Sequence, residues 1–557
     1  MDSAVRRAGA ACVLFALLGG AGPAAFVGGP GPGALAAQAA DPARAPADPA
    51  GPAWTTAWSP LVQLGDLPRR LPGSEIAFPS LLTLPAPRVG LFWTGGNPAA
   101  LPDEIEETRV NFEAGRADVG GEYGRPLDPG AEIHTRVRAL GWRPLGDRGA
   151  AVGRVVVDRQ SLEDGVFADV LVPHSSNPFV VLDTLGDGMN RTVARLEGAG
   201  GWRLGPLGLG LGLGYEAQET TTKVSPVPRN NRTAVPGVTG GLSLALGDDF
   251  RIGAMARWRQ AAHNLTVFSL AAPSRVYAPT GYNEPTAFNL SSIAFQRRLE
   301  RTAWAAGLQV AGRTGGVEWV AYGQRESLTE DRFNPGSNDP LIDAWEADGW
   351  TAGAAAQLGL GGRLLLTVDG RYRTLDGDGV RGDIELRNFT SDESRLEAGG
   401  ELRLLPGTSR WEAAASVRVV RESRRREDLI ENTFSDISSW EPIFTGEIAR
   451  HLSDRFAIAV GGAFSSYAPT ATTPDPAEIG EAYAEWTAPE LGLYATEATG
   501  WGGTMTMRVH PGETVFVWLR GRYGSVSAGT VDNPQPDTPT GDRDGWGLSL
   551  GVTLSER

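Results

Sequence analysis

The chain has 557 residues, a formal net charge of −15, 41% apolar residues and 74 glycines. The negative charge argues against nucleic acid as a partner, and a single cysteine, Cys12, leaves no thiol catalyst, disulfide framework or cysteine metal site. With no helix-periodic stretch and no second apolar run of transmembrane length, size and glycine content point to one large β-structure.

In chain order, residues 1–39 read as a secretory signal. Arg6 and Arg7 form the basic region and Ala8 to Gly20 the apolar one, and Ala34-Leu35-Ala36 or Ala37-Gln38-Ala39 ends at the cleavage site. Residues 40–107 carry too many prolines for a run of central strands and are expected to form a leader or a small hatch. That stretch is shorter than the large plug of a TonB-dependent transporter, and it shows no convincing energy-coupling box.

From 108 to 557 one unit repeats: a two-faced strand, a tight turn, another two-faced strand and a long polar loop. Between Arg363 and Arg373, Leu364, Leu366, Val368, Gly370 and Tyr372 share one face, while Arg363, Thr367, Asp369, Arg371 and Arg373 share the other. The same split recurs from Phe250, with Ile252, Ala254, Ala256 and Trp258 against Arg251, Gly253, Met255, Arg257 and Arg259. A helix would spread these charges around all sides.

Tight turns are expected at Pro144–Asp147, Leu204–Pro206, Gly247–Asp249, Arg313–Gly315, Gly361-Gly362, Pro406–Thr408, Leu452–Asp454 and His510–Glu513. With a first strand near Thr108–Tyr123 and a last near Gly545–Ser555, this predicts an all-β, single-chain antiparallel transmembrane β-barrel of about 18 strands, within a range of about 14 to 20. Long loops are expected at 160–190, 262–300, 328–348, 422–441, 468–490 and 527–544, on the extracellular side, which leaves the short turns periplasmic. Trp142, Trp202, Trp258, Tyr322, Trp350, Tyr372, Trp411, Tyr467, Trp501, Tyr523 and Trp546 fit interfacial girdles, although Trp142 and Trp518 fall on the charged face.

Gly95-Gly96-Asn97-Pro98-Ala99-Ala100-Leu101, followed by the strand Val110-Asn111-Phe112-Glu113-Ala114-Gly115, resembles the start of outer-membrane proteins of the long-chain fatty-acid transporter type. The resemblance implies that Asn97, Pro98 and Ala99 belong to a hatch closing the periplasmic end, and that transported compounds are hydrophobic. Related barrels that transport nothing, including secretion subunits, share the motif. The strand count exceeds that family's usual one, and the inward faces here are charged.

The same phase turns Arg136, Arg138, Arg195, Arg203, Arg251, Arg257, Arg259, Arg363, Arg371, Arg373, Arg520 and Arg522 inward. They either line an anion-selective passage or pair with Glu132, Glu197, Asp369, Glu397 and Glu401 to fill the lumen. His174-Ser175-Ser176-Asn177 is similar to the serine-hydrolase string of outer-membrane phospholipases, but Pro173 and Pro178 bracket it and suggest a loop. His134, His263, His451 and His510 are scattered singly, without the spacing of a zinc site. Acidic residues such as Glu330, Asp331, Asp376 and Asp378 read as solvated charge rather than as a calcium loop.

No cofactor, metal or catalytic residue is expected. The function anticipated is an outer-membrane channel or transporter for passive uptake of small molecules, with gating by the hatch as one form of it. The alternative is a non-transporting barrel serving assembly, secretion or anchoring. Expected partners are outer-membrane lipid and lipopolysaccharide, with substrate and any partner subunits left open.

Overall fold

The structure, a computed structural model, describes residues from 89 onward, apart from 125–127, 169–176, 178, 180–181, 223–228, 268–273, 280–284, 291–294, 334–340, 383–384, 406–409, 475–486, 513, 532–537, 539 and 557. The expected signal segment, most of the leader, the turn at Pro406–Thr408 and the His174-Ser175-Ser176 string lie outside the described residues.

A single 3-10 turn (Pro98–Ala100) and a one-turn helix α1 (Leu101–Glu104) lead into the first strand. The first seven strands are β1 (Thr108–Gly121), β2 (Ala131–Leu145), β3 (Gly149–Ala168), β4 (Leu182–Leu204), β5 (Leu207–Thr222), β6 (Arg229–Ala245) and β7 (Phe250–Val267). A short hairpin follows, β8 (Ser274–Pro279) and β9 (Pro285–Leu290). Then come β10 (Phe295–Thr314), β11 (Val317–Phe333), β12 (Leu341–Leu360), β13 (Leu364–Arg381), β14 (Leu386–Leu404), β15 (Trp411–Asp428), β16 (Thr433–Ser453) and β17 (Phe456–Thr472). Helix α2 (Ala488–Tyr494) precedes β18 (Thr496–Val509), β19 (Val515–Val531) and β20 (Asp542–Glu556).

Each barrel strand pairs antiparallel with the next, β7 pairs with β10, and β1 pairs with β20 from Thr108↔Glu556 to Gly121↔Arg543. The result is a closed barrel of 18 strands. Closure leaves no edge, which is the condition for a sheet to cross a bilayer. The hairpin β8–β9 stands outside this ring and extends the end of β4 through Leu182↔Tyr277 and Asp183↔Val276.

Side chains alternate as a two-solvent wall requires. On β7, Ile252 and Trp258 are exposed on the outer surface, whereas Arg257 and Arg259 are buried on the inner one. Outward leucines, valines and aromatics form a lipid-facing belt around the barrel, which fits the outer membrane. Trp202, Trp258, Trp350, Tyr372, Trp411, Trp501, Tyr523 and Trp546 lie on that surface. Trp142, Trp518 and Tyr467 are instead buried within the barrel, and Tyr322 lies over Gly353 on the inner wall. For Tyr322 and Tyr467 this corrects the girdle assignment: each fills space above a small neighbour or beneath α2.

The short ends turn at Gly146, Gly205, Gly247, Gly315 and Gly361, all with positive φ, a conformation that glycine adopts without a Cβ penalty. The long ends differ from expectation. Residues 422–441 are mostly ladder, since β15 runs to Asp428 and β16 starts at Thr433, and β3 and β4 likewise extend into 160–190. Above the lipid both faces meet water, so the apolar alternation fades while backbone pairing continues.

Candidate functional site

The residues ahead of β1 fold back onto the inner wall at the short-turn end. Gly90 to Gly96 close a turn in which Thr94 N donates to Gly90 O at 3.0 Å and Gly96 N to Phe92 O at 2.8 Å. Asn97, fully buried, caps the 3-10 turn: its Oδ1 accepts from Ala99 N at 3.1 Å. Its Nδ2 donates to Leu242 O at 3.0 Å and Ala254 O at 3.3 Å, reaching facing residues of β6 and β7. One side chain therefore shapes the turn and ties it to the wall.

The wall is cut to receive it. Along β5, Leu207, Leu209, Leu211 and Leu213 point to lipid, and the alternate residues Gly208, Gly210 and Gly212 face inward. A Cβ on Gly208 would lie 2.6 Å from Ala99 O, and one on Gly210 would collide with Pro98 and Ala99. Gly241 on β6 and Gly253 on β7 abut Asn97, where a Cβ on Gly253 would come 2.7 Å from Nδ2. These glycines let two backbones meet, a use that outweighs the entropy glycine costs a strand.

Charged and apolar contacts complete the seat. Gly95 O accepts from Arg257 Nη2 at 3.2 Å and from Gln309 Nε2 at 2.8 Å. Asp103 meets Arg203 at 3.0 Å and Arg251 at 3.3 Å. Leu91, Phe92, Trp93, Leu101 and Ile105 pack with Trp142, Val152 and Val320 of the wall, Trp93 edge-on to Trp142 with ring centres 6.1 Å apart. Glu104 closes the loop from within, accepting from Phe92 N at 3.1 Å and Trp93 N at 3.2 Å. Burial pushes its carboxyl up to about 7, against the lowering effect of those two N–H groups and of Arg251.

At the long-loop end a second element enters the barrel. Leu491 and Leu493 of α2 are fully buried in a cluster with Trp345, Leu375, Phe389, Ile437 and Tyr467 of the wall. Tyr467 Oη donates to Tyr494 O at 2.9 Å, and Thr496 Oγ1 donates to Gly492 O at 2.7 Å. Asn177, on the loop between β3 and β4, is buried and donates from Nδ2 to Glu330 Oε1 at 2.7 Å. Neither insertion follows from the alternation pattern. The sequence signal for α2 is the apolar run Leu491-Gly492-Leu493 inside an otherwise polar loop.

Between these ends the inner wall carries paired charge. Arg373 meets Glu326 at 2.6 Å, Arg371 meets Glu397 at 3.4 Å, Arg136 meets Asp158 at 2.7 Å, and Arg138 pairs with Glu113. Arg154 meets Glu197 at 2.6 Å, and Arg195 pairs with Glu216. Arg363 donates to Leu405 O at 3.4 Å, and Arg520 stacks 4.7 Å from the centre of the Trp518 ring. Arg259 is buried. Arg522 is exposed and makes no ion pair among the described residues. The candidate arginines thus divide: Arg203, Arg251 and Arg257 hold the segment ahead of β1, and most of the others are matched by carboxylates. His134 contacts Glu132 at 2.9 Å, His263 contacts Thr233 at 2.7 Å, and His451 pairs with Glu412, so these histidines do not converge.

The pattern described as "Family of unknown function (DUF6850)" matches residues 98–554, and the chain belongs to that family. No curated protein matches it. Among solved structures it is similar to the ferric-catecholate import receptor Fiu of E. coli K12 in its open form, at 10% identity over 81% of each chain and a TM-score of 0.36. It is also similar to the siderophore receptor PiuA of Acinetobacter baumannii, at 8% identity over 80% of this chain and 82% of that one, and to the copper transporter OprC, at 9% identity over 81% of each, both with a TM-score of 0.36. At such values the likeness adds nothing to what strand pairing shows.

Proposed function

We propose that this member of the family is an outer-membrane transporter for small molecules in which residues 89–107 act as a hatch on the periplasmic side. The observation that carries this reading is the fit of Asn97, Pro98 and Ala99 against inward glycines of β5, β6 and β7. The contact is close, specific and non-covalent, so it can be undone without breaking the barrel. The Asn-Pro-Ala resemblance supports the same role, whereas the paired inner charges lend nothing to its hydrophobic cargo. Passive uptake fits a lumen whose exposed Arg522 and half-exposed Arg136 keep part of the wall wet.

The second reading, a sealed barrel that anchors or assembles other components, draws on the density of ion pairs along the wall. Single-channel conductance in a planar bilayer separates the two. A Gly241→Val variant, whose new side chain would occupy the place of Asn97, is expected to raise the current above that of the intact chain. Silence in both proteins, and in a variant that adds Leu491→Asp and Leu493→Asp to Gly241→Val, would overturn the transport reading and leave the sealed barrel.

A further inference from the structure

Near the middle of β19 the inner wall carries a charge that its neighbours leave uncancelled. Arg522 is exposed to the lumen and makes no ion pair among the described residues. The charges that act on it are those of Arg136, Arg138 and Glu113. Glu113 is already paired with Arg138, and the half-exposed Arg136 is met by Asp158 at 2.7 Å. Three arginines thus share two carboxylates, and Arg522 is the one left over. The floor beside it is bare. Gly547 and Ser549 of β20 stand in register with Ala117 and Gly115 of β1, all four on the inner face of the alternation. Arg522 is the register partner of Gly547, where a Cβ would lie 2.6 Å from its Nε, so the side chain lies across β20 toward β1. On the far side of the same two strands Arg136 and Arg138 rise from β2, opposite Gly115 and Glu113.

We propose that Arg522, laid over this floor, binds the oxyanion of a small solute, a carboxylate or phosphate group, on its way along the lumen. An oxyanion takes up two N–H groups of a guanidinium fork at once, whereas a neutral or cationic solute gains little from an unshared one. Arg136 and Arg138 are neutralised only pair by pair, so the surplus keeps the local field positive, and the walls of a pore focus such a field into the water between them. A floor of glycine and alanine lets a planar carboxylate come close, and the Ser549 hydroxyl stands there as one more donor. The site is open to water, which suits a step in passage, because a solute must bind weakly enough to leave again. The assignment deepens the transport reading and rests on it for its meaning, by naming the substrate class; the binding itself does not depend on conductance.

Saturation-transfer NMR on the full chain in detergent, with detergent alone subtracted, tests it with three probes that share one ring: benzoate, neutral benzamide and cationic benzylammonium. Saturable transfer to benzoate alone, displaced by inorganic phosphate, is expected. Arg522→Gln should weaken benzoate binding by about tenfold. Arg159→Gln, which removes the same charge from the exposed outer face of β3, should bind as the parent does. Retained heat-modifiable gel mobility would show that each barrel is intact. The proposal is overturned if benzoate does not saturate, if benzamide or benzylammonium binds as well, if phosphate fails to displace it, or if Arg522→Gln binds no worse than the parent or than Arg159→Gln. Failure here with current through the chain carrying Gly241→Val, Leu491→Asp and Leu493→Asp would remove the anion site and leave the transporter. Binding here with silence in that chain would keep the site and remove transport.

Discussion

The two ends of the barrel are filled by different mixtures of polar and apolar contact. At the short-turn end the proposed hatch is held by backbone contacts, an amide side chain and ion pairs on a glycine-lined wall, together with the buried Leu91, Phe92, Trp93, Leu101 and Ile105. At the long-loop end α2 is held chiefly by Leu491 and Leu493 in an apolar cluster with Trp345, Phe389 and Tyr467. A seat made of hydrogen bonds is directional, and water can replace each bond as it opens, so its net contribution per bond is small. A seat of buried leucines is non-directional and loses its full area at once. The proposed hatch combines both kinds of seat, with a directional part at Asn97 and an apolar part at Leu91, Phe92 and Trp93, whereas α2 relies chiefly on the apolar one.

The largest effect expected from breaking this contrast comes from Gly241→Val. A thiol placed at Ala100, buried in the docked hatch, reports release through maleimide labelling in a Cys12→Ser background. Overpacking of about 3 kcal/mol, the upper end because a Cβ there would collide with Asn97 Oδ1, should speed labelling by about a hundredfold. Gly240→Val, one residue away on the lipid-facing side, where an added Cβ would meet nothing within 4 Å, should leave it unchanged. Equal rates in the two variants would show that the hatch does not rest on the inward glycines.

Leu491→Ala should come next, with about 2 kcal/mol lost from the α2 seat, the low end for a buried leucine because one short helix can settle over the gap. Limited proteolysis within 487–495 would report it, and a cleavage pattern like that of the parent chain would contradict the apolar anchorage. Asn97→Ala should cost the proposed hatch about 1 kcal/mol, since the strand carbonyls it leaves are still paired in the ladder. Ala100 thiol labelling would rise less than in Gly241→Val, and no rise would remove Asn97 from the latch.

The smallest effect is the pH response of Glu104. Its carboxyl titrates at about 7 when docked, above the ordinary value of 4.5, so proton binding favours docking. That contribution is complete below the ordinary value and is lost as pH rises through about 7. Ala100 labelling, compared at each pH with Glu104→Gln to cancel the thiol's own titration, should rise between about pH 5 and about pH 8. A flat ratio would show that Glu104 titrates alike in the docked and released hatch.

The same physics decides how much is legible in the sequence. Lipid on one side and water on the other impose period-two alternation, so faces on β7, β13 and β14 can be read directly from Trp258, Tyr372 and Leu396 against Arg257, Arg373 and Arg395. Where β15 and β16 rise above the lipid, both faces are polar, and the ladder reads in sequence as loop. The Asn97-Pro98-Ala99 motif is visible, but its dock is not, although the Leu-Gly repeat of β5 spells out a wall apolar outside and empty inside. The seven residues of α2 are too few to show a helical period. Their burial depends on Trp345 and Phe389, more than a hundred residues upstream for the first and about a hundred for the second.

The most direct test of the account is single-channel conductance of four proteins in planar bilayers: the intact chain, Gly241→Val, Leu491→Asp with Leu493→Asp, and all three changes combined. Two stoppers in series along one passage predict the smallest current in the intact chain, the largest in the combination, and in each partial variant no more than the remaining stopper allows. Four equal currents, or silence in all four, would contradict it.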